Sequence, residues 1–247
     1  MGPFKACVLL CISLLMSAQT LASAFTDHGL SISRAMASFY MFGASGGDNK
    51  YKKDYEHYLM KAERQLFKMD KRHKVMADRL KPMWADLRPQ LVYEYDKYTG
   101  YYVPGLGQGR FRQYLNAYYN EYMNSKNTGL SIESRLMNIQ IKIEIMLARF
   151  FDLASAAFVD EGGLDGNEPI INNKKVTKQI SIEIEDILKL SQGKPYLNEL
   201  KQIQRKWRFI ESSVVNSQEK PALLLVYYNK ERIMQLLETS KIMMAKN

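Results

Sequence analysis

Tyrosines are concentrated in the middle of the sequence, where nine of the 16 fall between Tyr93 and Tyr122. A tyrosine ring buries a large area, and its hydroxyl can form a hydrogen bond at the edge of a contact. Such a cluster favours binding of a partner protein or a sugar-like ligand; alternatively, the rings line a half-buried helix boundary. Seven of them form a candidate partner interface: Tyr98, Tyr101, Tyr102, Tyr114, Tyr118, Tyr119 and Tyr122.

Two glycine-rich motifs look catalytic but lack the context that catalysis needs. Residues 43–47, Gly-Ala-Ser-Gly-Gly, satisfy G-x-S-x-G, but a nucleophile elbow follows a strand and this segment joins two predicted helices. Residues 105–109, Gly-Leu-Gly-Gln-Gly, lack the Gly-Lys-Ser/Thr ending of a phosphate loop. We therefore predict that the protein is not an enzyme and uses no cofactor, although a helical enzyme with catalytic carboxylates stays an open alternative.

No metal site is predicted either. His28, His57 and His73 are isolated, and none is followed by a second ligand four residues on. The acidic residues 160–168 miss the spacing of a calcium-binding EF-hand, so a solvated loop is the better interpretation.

Helices are predicted to position these residues. Residues 132–157 place apolar side chains at steps of four and three, which makes a continuous stripe along one helix face. Within this run, Ile139, Ile141, Ile143 and Ile145 alternate with polar residues, a pattern that is also typical of a strand. The stripe continues on both sides of the alternation without glycine or proline, so we predict a helix.

Similar stripes predict further helices, and breaker residues predict the loops between them. The other clear helices cover residues 51–69, 176–190, 197–214 and 222–245, with Asn173 as the N-cap of the second of these. The predicted loops are residues 43–47, 100–109, 160–173, 193–195 and 216–221. No segment requires a strand. The expected fold is therefore all-α, an antiparallel helical bundle of about six to eight helices.

A degenerate internal repeat divides this bundle into two related helical halves. Residues 29–36, Gly-Leu-Ser-Ile-Ser-Arg-Ala-Met, are similar to residues 129–137, Gly-Leu-Ser-Ile-Glu-Ser-Arg-Leu-Met, with one residue inserted. Each copy is followed by the single tryptophan of its half, Trp84 or Trp207. Chance similarity between two helix starts is the alternative. The predicted halves are residues 25–128 and 129–247.

Residues 1–24 are predicted to be a cleaved signal peptide. Lys5 supplies the positive end, a short apolar run follows, and Ala22 and Ala24 fit an A-x-A site with cleavage before Phe25. The apolar run is shorter than the ~20 residues that cross a membrane, although a retained anchor is the alternative. We therefore expect a periplasmic protein with no transmembrane segment after cleavage.

Composition limits the partners that the mature chain can have. Both cysteines, Cys7 and Cys11, lie in the predicted signal peptide, so no disulfide or cysteine-ligated metal is expected. The chain carries a formal net charge of +9, which attracts anions. Export argues against nucleic acid, so a small anion or an envelope protein is expected; a solvated basic surface is the alternative. The sequence leaves open whether the protein forms oligomers.

The order of features resembles a family of exported sensor domains. Ser33-Arg34-Ala35-Met36 and Ser134-Arg135-Leu136-Met137 each open a helix, and a second helix, a tryptophan and a long final helix follow. This order resembles the periplasmic helical sensor domain of type IV pili methyl-accepting chemotaxis transducers, which is related to nitrate/nitrite sensor ectodomains. The likeness would cover most of the mature chain as two copies. The family's arginine-rich signature is incomplete here, because its second arginine and following Ser-Gln-Arg are missing.

The resemblance implies anion recognition at Arg34 and Arg135. A guanidinium offers a rigid fork of donors to an oxyanion, and two forks on facing helices could clamp one anion. Alternatively, each arginine reaches solvent beside an apolar stripe. The sequence thus predicts a non-enzymatic protein that binds a small anion or a partner in an envelope sensing role. The alternative is a structural or scaffolding component that acts through the tyrosine-rich interface.

Overall fold

The computed structural model describes residues 3–69, 73–98, 100–124, 131–156, 171–215 and 222–246, with side chains from Ala24 onward except those of residues 155 and 156. Within these residues the chain forms eight α-helices, so the predicted all-α fold is confirmed. The helices are α1 Pro3–Ala44, α2 Asn49–Lys68, α3 Lys74–Leu87, α4 Gly105–Asn124, α5 Ile132–Ala156, α6 Asn173–Leu190, α7 Leu197–Val215 and α8 Leu223–Ala245.

Helices α1 and α5 lie at the centre of the bundle. All side chains from Ala35 to Phe42 in α1 and from Ile143 to Asp152 in α5 are buried. Helix α1 contacts α2, α4, α5 and α8, and α5 contacts α1, α4, α6 and α8. The alternating isoleucines of α5 therefore belong to a helix that is covered on nearly every side, so they do not indicate a strand.

Helices α1 and α2, which follow each other in sequence, pack in opposite directions, whereas the central pair, α1 and α5, runs parallel. His28 contacts Ala62 while Phe39 contacts Tyr55, which makes α1 and α2 antiparallel. The contacts from α1 to α5 instead join residue 34 to residue 144 and residue 40 to residue 152, in the same chain order. The bundle is thus not antiparallel throughout.

The outer helices each bury one stripe, as their spacing predicts. Helix α2 buries Tyr51, Tyr55, Leu59, Ala62 and Leu66, and α7 buries Leu200, Ile203, Trp207, Ile210 and Val214. The N-cap of α6 is Asn172, whose side chain accepts a hydrogen bond from the backbone N–H of Lys175 at 3.0 Å. The prediction of Asn173 as the cap is wrong by one residue, because Asn173 is already helical.

A short hairpin between α3 and α4 was not predicted. After a 3₁₀ turn at Arg88–Gln90, strands β1 Glu94–Asp96 and β2 Gly100–Tyr102 pair antiparallel, with Tyr95 opposite Tyr101. Strands of three residues are too short to produce a readable alternation.

The predicted loop at residues 100–109 is too long, because α4 begins at Gly105. The backbone N–H of Gln108 bonds to Pro104 at 3.1 Å, which starts the first turn. Gly107 lets this turn approach the 3₁₀ segment closely, since a Cβ there would lie 2.4 Å from the carbonyl oxygen of Gln90.

Several sequence predictions fall outside the described residues. They concern the whole acidic segment 160–168, the predicted loop 216–221 and most of the junction between the predicted halves at residues 124–129. Within the part of the chain that is described, no helix combines the length and the hydropathy needed to cross a membrane.

Candidate functional site

Four of the seven predicted interface tyrosines lie on the inner face of α4. Tyr114, Tyr118 and Tyr119 are buried and Tyr122 is partly buried, because steps of four and three place them on the face that packs against α1. In this structure they contribute to the core, so the surface available to a partner is narrower than the sequence predicts.

The buried tyrosines surround His28 of α1. The Nδ1 atom of His28 lies 2.8 Å from the carbonyl oxygen of Ala62, and its Nε2 atom lies 2.7 Å from the Tyr114 hydroxyl. A carbonyl can only accept, so Nδ1 donates to Ala62 and Nε2 accepts from Tyr114. Burial lowers the pKa of His28 to about 4, although the hydrogen bond to Ala62 opposes this shift. The ring is therefore neutral at pH 7 and has a structural role.

The remaining tyrosines lie on or beside the hairpin. Tyr98 and Tyr95 are 83% and 66% exposed, Tyr101 is also exposed, and Tyr102 is half-buried. Together with two exposed aliphatic neighbours they form what we call the hairpin surface: Val92, Tyr95, Tyr98, Tyr101 and Leu106. Sequence reasoning identified Tyr98 and Tyr101 but missed the other three.

The base of the hairpin is held by the core. The Tyr93 hydroxyl donates to the carbonyl oxygen of Phe39 at 3.3 Å, and its ring lies 4.5 Å from that of Phe42. The ring of Tyr101 lies 4.8 Å from the same Phe42 ring. Two aromatic contacts to α1 thus fix the hairpin, so its exposed rings are presented from a supported backbone.

Arg34 belongs to a buried ionic group that we call the Glu144 cluster: Arg34, Glu144, Lys230 and Glu231. Arg34 Nε donates to Glu144 Oε1 at 2.6 Å, and Lys230 Nζ donates to Glu144 Oε2 at 3.3 Å. Lys230 also pairs with Glu231 at 2.8 Å. Glu144 and Lys230 are fully buried, and the four formal charges cancel.

Attraction within this cluster keeps all its buried groups ionised. Burial on its own would raise the pKa of Glu144, but Lys230 and Arg34 together outweigh burial and lower it below the ordinary 4.5. The pKa of Lys230 is raised, because attraction to Glu144 and Glu231 outweighs the opposing effect of burial. The clustered charges link α1, α5 and α8.

Arg135 does not join this group. It lies near the start of α5 and pairs with Asp186 of α6 at 3.5 Å, at a half-exposed position. The structure therefore does not bring Arg34 and Arg135 together on one ligand, because each guanidinium faces a carboxylate of a different helix.

A second buried group, the Asp152 cluster, contains Tyr40, Arg112, Arg149 and Asp152. Arg112 donates to both oxygens of Asp152, from Nε at 2.9 Å and from Nη2 at 3.0 Å. The Tyr40 hydroxyl donates to Oδ1 at 2.8 Å, and Arg149 Nη1 donates to Oδ2. Tyr40, Arg149 and Asp152 are buried, and Arg112 is largely so.

Sequence reasoning missed both clusters, although a signal was present. Glu144, Arg149 and Asp152 interrupt the most apolar stretch of the chain, where a charged side chain needs a partner to be buried. Their partners Arg112 and Lys230 lie on α4 and α8, and no spacing in a single sequence connects them. The charged residues of α5 could therefore have been noticed, but not paired.

Among the described residues, no group of three or more His, Cys, Asp or Glu side chains is placed to hold a metal ion. No protein-family model, curated protein or solved structure matches this chain. The functional interpretation therefore rests on the hairpin surface and the two buried clusters.

Proposed function

We propose that this is an exported, non-enzymatic binding protein of the cell envelope that engages an acidic partner protein through the hairpin surface. The observation that carries the proposal is the exposure of five large apolar side chains within residues 92–106. The rings of Tyr95 and Tyr101 are in contact, with their centres 5.1 Å apart, and grouped exposed apolar side chains, unlike isolated ones, are typical of interaction sites.

The composition of the hairpin surface suits recognition of a protein. Three of its five side chains are tyrosines, which are enriched at the centres of interfaces. The contacts of Tyr93 and Tyr101 with Phe42 support the backbone beneath them. A surface held in place before binding loses less conformational entropy when the partner docks.

Charge supports the choice of an acidic partner. The chain carries 35 Lys and Arg against 26 Asp and Glu, so its long-range field attracts negatively charged proteins and accelerates their encounter. The hairpin itself carries Lys97 beside Glu94 and Asp96, so this attraction comes from the rest of the chain; the Lys97 ammonium lies 4.6 Å from the centre of the Tyr98 ring.

The sensing form of the proposal, with a small anion held by Arg34 and Arg135, is the second candidate. An anion at Arg34 would compete with Glu144, which already accepts from its Nε atom at 2.6 Å. Arg135 is more accessible, because its pair with Asp186 is half-exposed. This candidate therefore requires the Glu144 cluster to rearrange, whereas partner binding at the hairpin requires no rearrangement.

Site-specific photocrosslinking in intact cells tests the proposal. A benzophenone amino acid placed at Tyr98 or Tyr95 is expected to produce one dominant adduct with an acidic envelope protein. Phe67 of α2 is the matched control, because this aromatic residue is 61% exposed and lies outside the hairpin surface. The purified partner should then bind the native chain, and Tyr98→Ala combined with Tyr95→Ala should weaken binding by about tenfold or more.

Adducts that are absent at the hairpin, or identical from Phe67, would argue against this surface. If the adduct forms only when a small anion is supplied, the sensing role is favoured; if it forms regardless, scaffolding is favoured. The mass of the protein recovered from the envelope tests export, since a chain beginning at Phe25 is expected.

A further inference from the structure

The two buried ionic clusters differ in their balance of charge. In the Glu144 cluster, two cations face two carboxylates. In the Asp152 cluster, the guanidinium groups of Arg112 and Arg149 share one carboxylate, so the described groups carry one excess positive charge. A buried charge without a counter-charge is strongly unfavourable in a protein interior.

Asp152 has little capacity left to neutralise both arginines. Its two oxygens accept two hydrogen bonds from Arg112, one from Tyr40 and one from Arg149. Arg112 takes the bidentate position, which is the strongest arrangement between a guanidinium and a carboxylate. Arg149 is left with one contact, through Nη1.

Arg149 therefore keeps a donor without an acceptor. Its side chain is only 3% exposed, and its Nε atom is buried with no hydrogen-bond partner in the structure as described. A buried N–H that is left unpaired is costly, so it usually marks a missing acceptor. Burial, reinforced by repulsion from Arg112, lowers the pKa of Arg149 to about 10, so the guanidinium is still charged at pH 7 in unfavourable surroundings.

We propose that the Asp152 cluster is a binding site for a small monovalent anion, which accepts from Arg149 Nε and restores neutrality between α4 and α5. One negative charge balances the excess, which favours a monovalent ion over a divalent one. The planar fork of the guanidinium suits a small carboxylate such as formate, and a halide at high concentration can accept from the same N–H. The site is distinct from Arg34, Arg135 and the hairpin surface, so it does not depend on the proposed partner.

Thermal unfolding of the purified full-length protein in formate tests the site. Sodium formate replaces sodium gluconate at constant ionic strength, because gluconate carries the same charged group on a bulkier body. The melting temperature should rise with formate and saturate, as expected for a ligand that binds the folded state. Arg149→Met should abolish this dependence, whereas Arg135→Gln, which removes an arginine at the half-exposed pair with Asp186, should retain it.

Arg149→Lys provides a second variant that keeps the charge but lacks the Nε donor. Its formate affinity is expected to fall by about tenfold, which corresponds to loss of one charge-assisted hydrogen bond. Crystals of the unaltered protein soaked in bromide give a readout that needs no variant. An anomalous peak within hydrogen-bonding distance of Arg149 Nε is expected.

The proposal fails if formate and gluconate give the same melting temperature in the unaltered protein. It fails equally if Arg149→Met responds as the unaltered protein does, or if bromide occupies only surface lysines.

Discussion

At the residue scale, the Glu144 carboxylate is the centre of the interactions among α1, α5 and α8. Glu144→Gln would leave Arg34 without its ionic partner and Lys230 with Glu231 alone. Removing one member of a buried ion pair costs about 3–5 kcal/mol, so we expect a loss of about 3 kcal/mol in the free energy of unfolding, measured by urea denaturation.

The matched control is Asp186→Asn, which removes a carboxylate from the half-exposed pairs with Arg135 and Lys189. Exposed pairs contribute roughly 0–1 kcal/mol, so this change should be nearly silent. Equal effects of the two substitutions would contradict a special role for the buried cluster.

His28 makes the stability of the fold dependent on pH. Its pKa is about 4 in the folded protein and 6.5 when unperturbed. Between these values the unfolded chain binds more protons than the folded one, so stability falls as the pH is lowered from 6.5 towards 4. The full effect is roughly 3 kcal/mol, since each pKa unit corresponds to about 1.4 kcal/mol.

The measurement is the melting temperature between pH 7 and pH 4.5 in the unaltered protein and in His28→Gln. The variant should be less stable at pH 7 but should lose less stability on acidification. His57→Gln is the control, because His57 is exposed on α2, and its pH profile should match that of the unaltered protein. A slope that survives His28→Gln unchanged would show that other groups cause it.

At the element scale, the sequence predicted the helices that have a periodic apolar stripe. It missed the elements whose structure depends on contacts with neighbouring elements. The predicted apolar stripes of α2 and α7 agree with the buried residues of these helices, because each helix has one covered face and one exposed face. Helix α5 carried a mixed signal, because a helix covered on nearly every side has no reason to keep its apolar residues on one face. The hairpin was missed since its pairing depends on two three-residue strands and on aromatic contacts with Phe42.

The same limit explains the division of the tyrosines. Tyr114 and Tyr118 follow the buried stripe of α4, and this could have been predicted had the helix been recognised from Gly105. The exposure of Tyr98 depends on the hairpin, so it could not have been predicted from the sequence. For the candidate site, the sequence therefore identified the tyrosine-rich segment, but it did not identify which of its side chains form the hairpin surface.

The packing of α4 against α1 depends on a glycine. A Cβ at Gly29 would lie 2.0 Å from the hydroxyl oxygen of Tyr118, a buried side chain that donates to Phe25. Gly29→Ala should therefore destabilise the protein by about 2 kcal/mol or more through overpacking.

Gly109 within α4 is the matched control for the glycine prediction. Apart from its chain neighbours and the adjoining helix backbone, no atom lies within 4 Å of a Cβ built there, and alanine favours a helix by about 1 kcal/mol over glycine. Gly109→Ala should thus be neutral or stabilising, as measured by the midpoint of urea denaturation. A stabilising effect of Gly29→Ala would show that α4 is not packed as closely as the structure describes.

At the scale of the whole molecule, the two predicted halves share a local arrangement. Trp84 on α3 donates from its indole to Glu63 of α2 at 3.0 Å, and Trp207 on α7 donates to Ser181 of α6 at 2.8 Å. In each half, the third helix thus bonds through tryptophan to the second. This parallel supports the proposal of an internal duplication.

The sequence could not predict that α1 and α5 pack in parallel. These are the first helices of the two halves, they are far apart in the sequence, and no short loop between them fixes their relative direction. Their contact includes both ionic clusters, through Arg34 with Glu144 and Tyr40 with Asp152. The halves therefore share one core, and each central helix is buried partly by its own half and partly by the other.

Separate expression of residues 25–128 and 129–247 tests this dependence. Each fragment would expose the face of α1 or α5 that is buried in the intact chain, so we expect each alone to self-associate or to melt without a cooperative transition. Mixing them should restore a one-to-one complex with the near-ultraviolet circular dichroism of the intact protein, because the buried contacts between α1 and α5 join the two fragments without a covalent link. Sedimentation velocity establishes the stoichiometry. A sharp two-state transition in either monomeric fragment would show that the halves are independent domains. It would also show that a half can fold without the buried ionic clusters that join it to the other half.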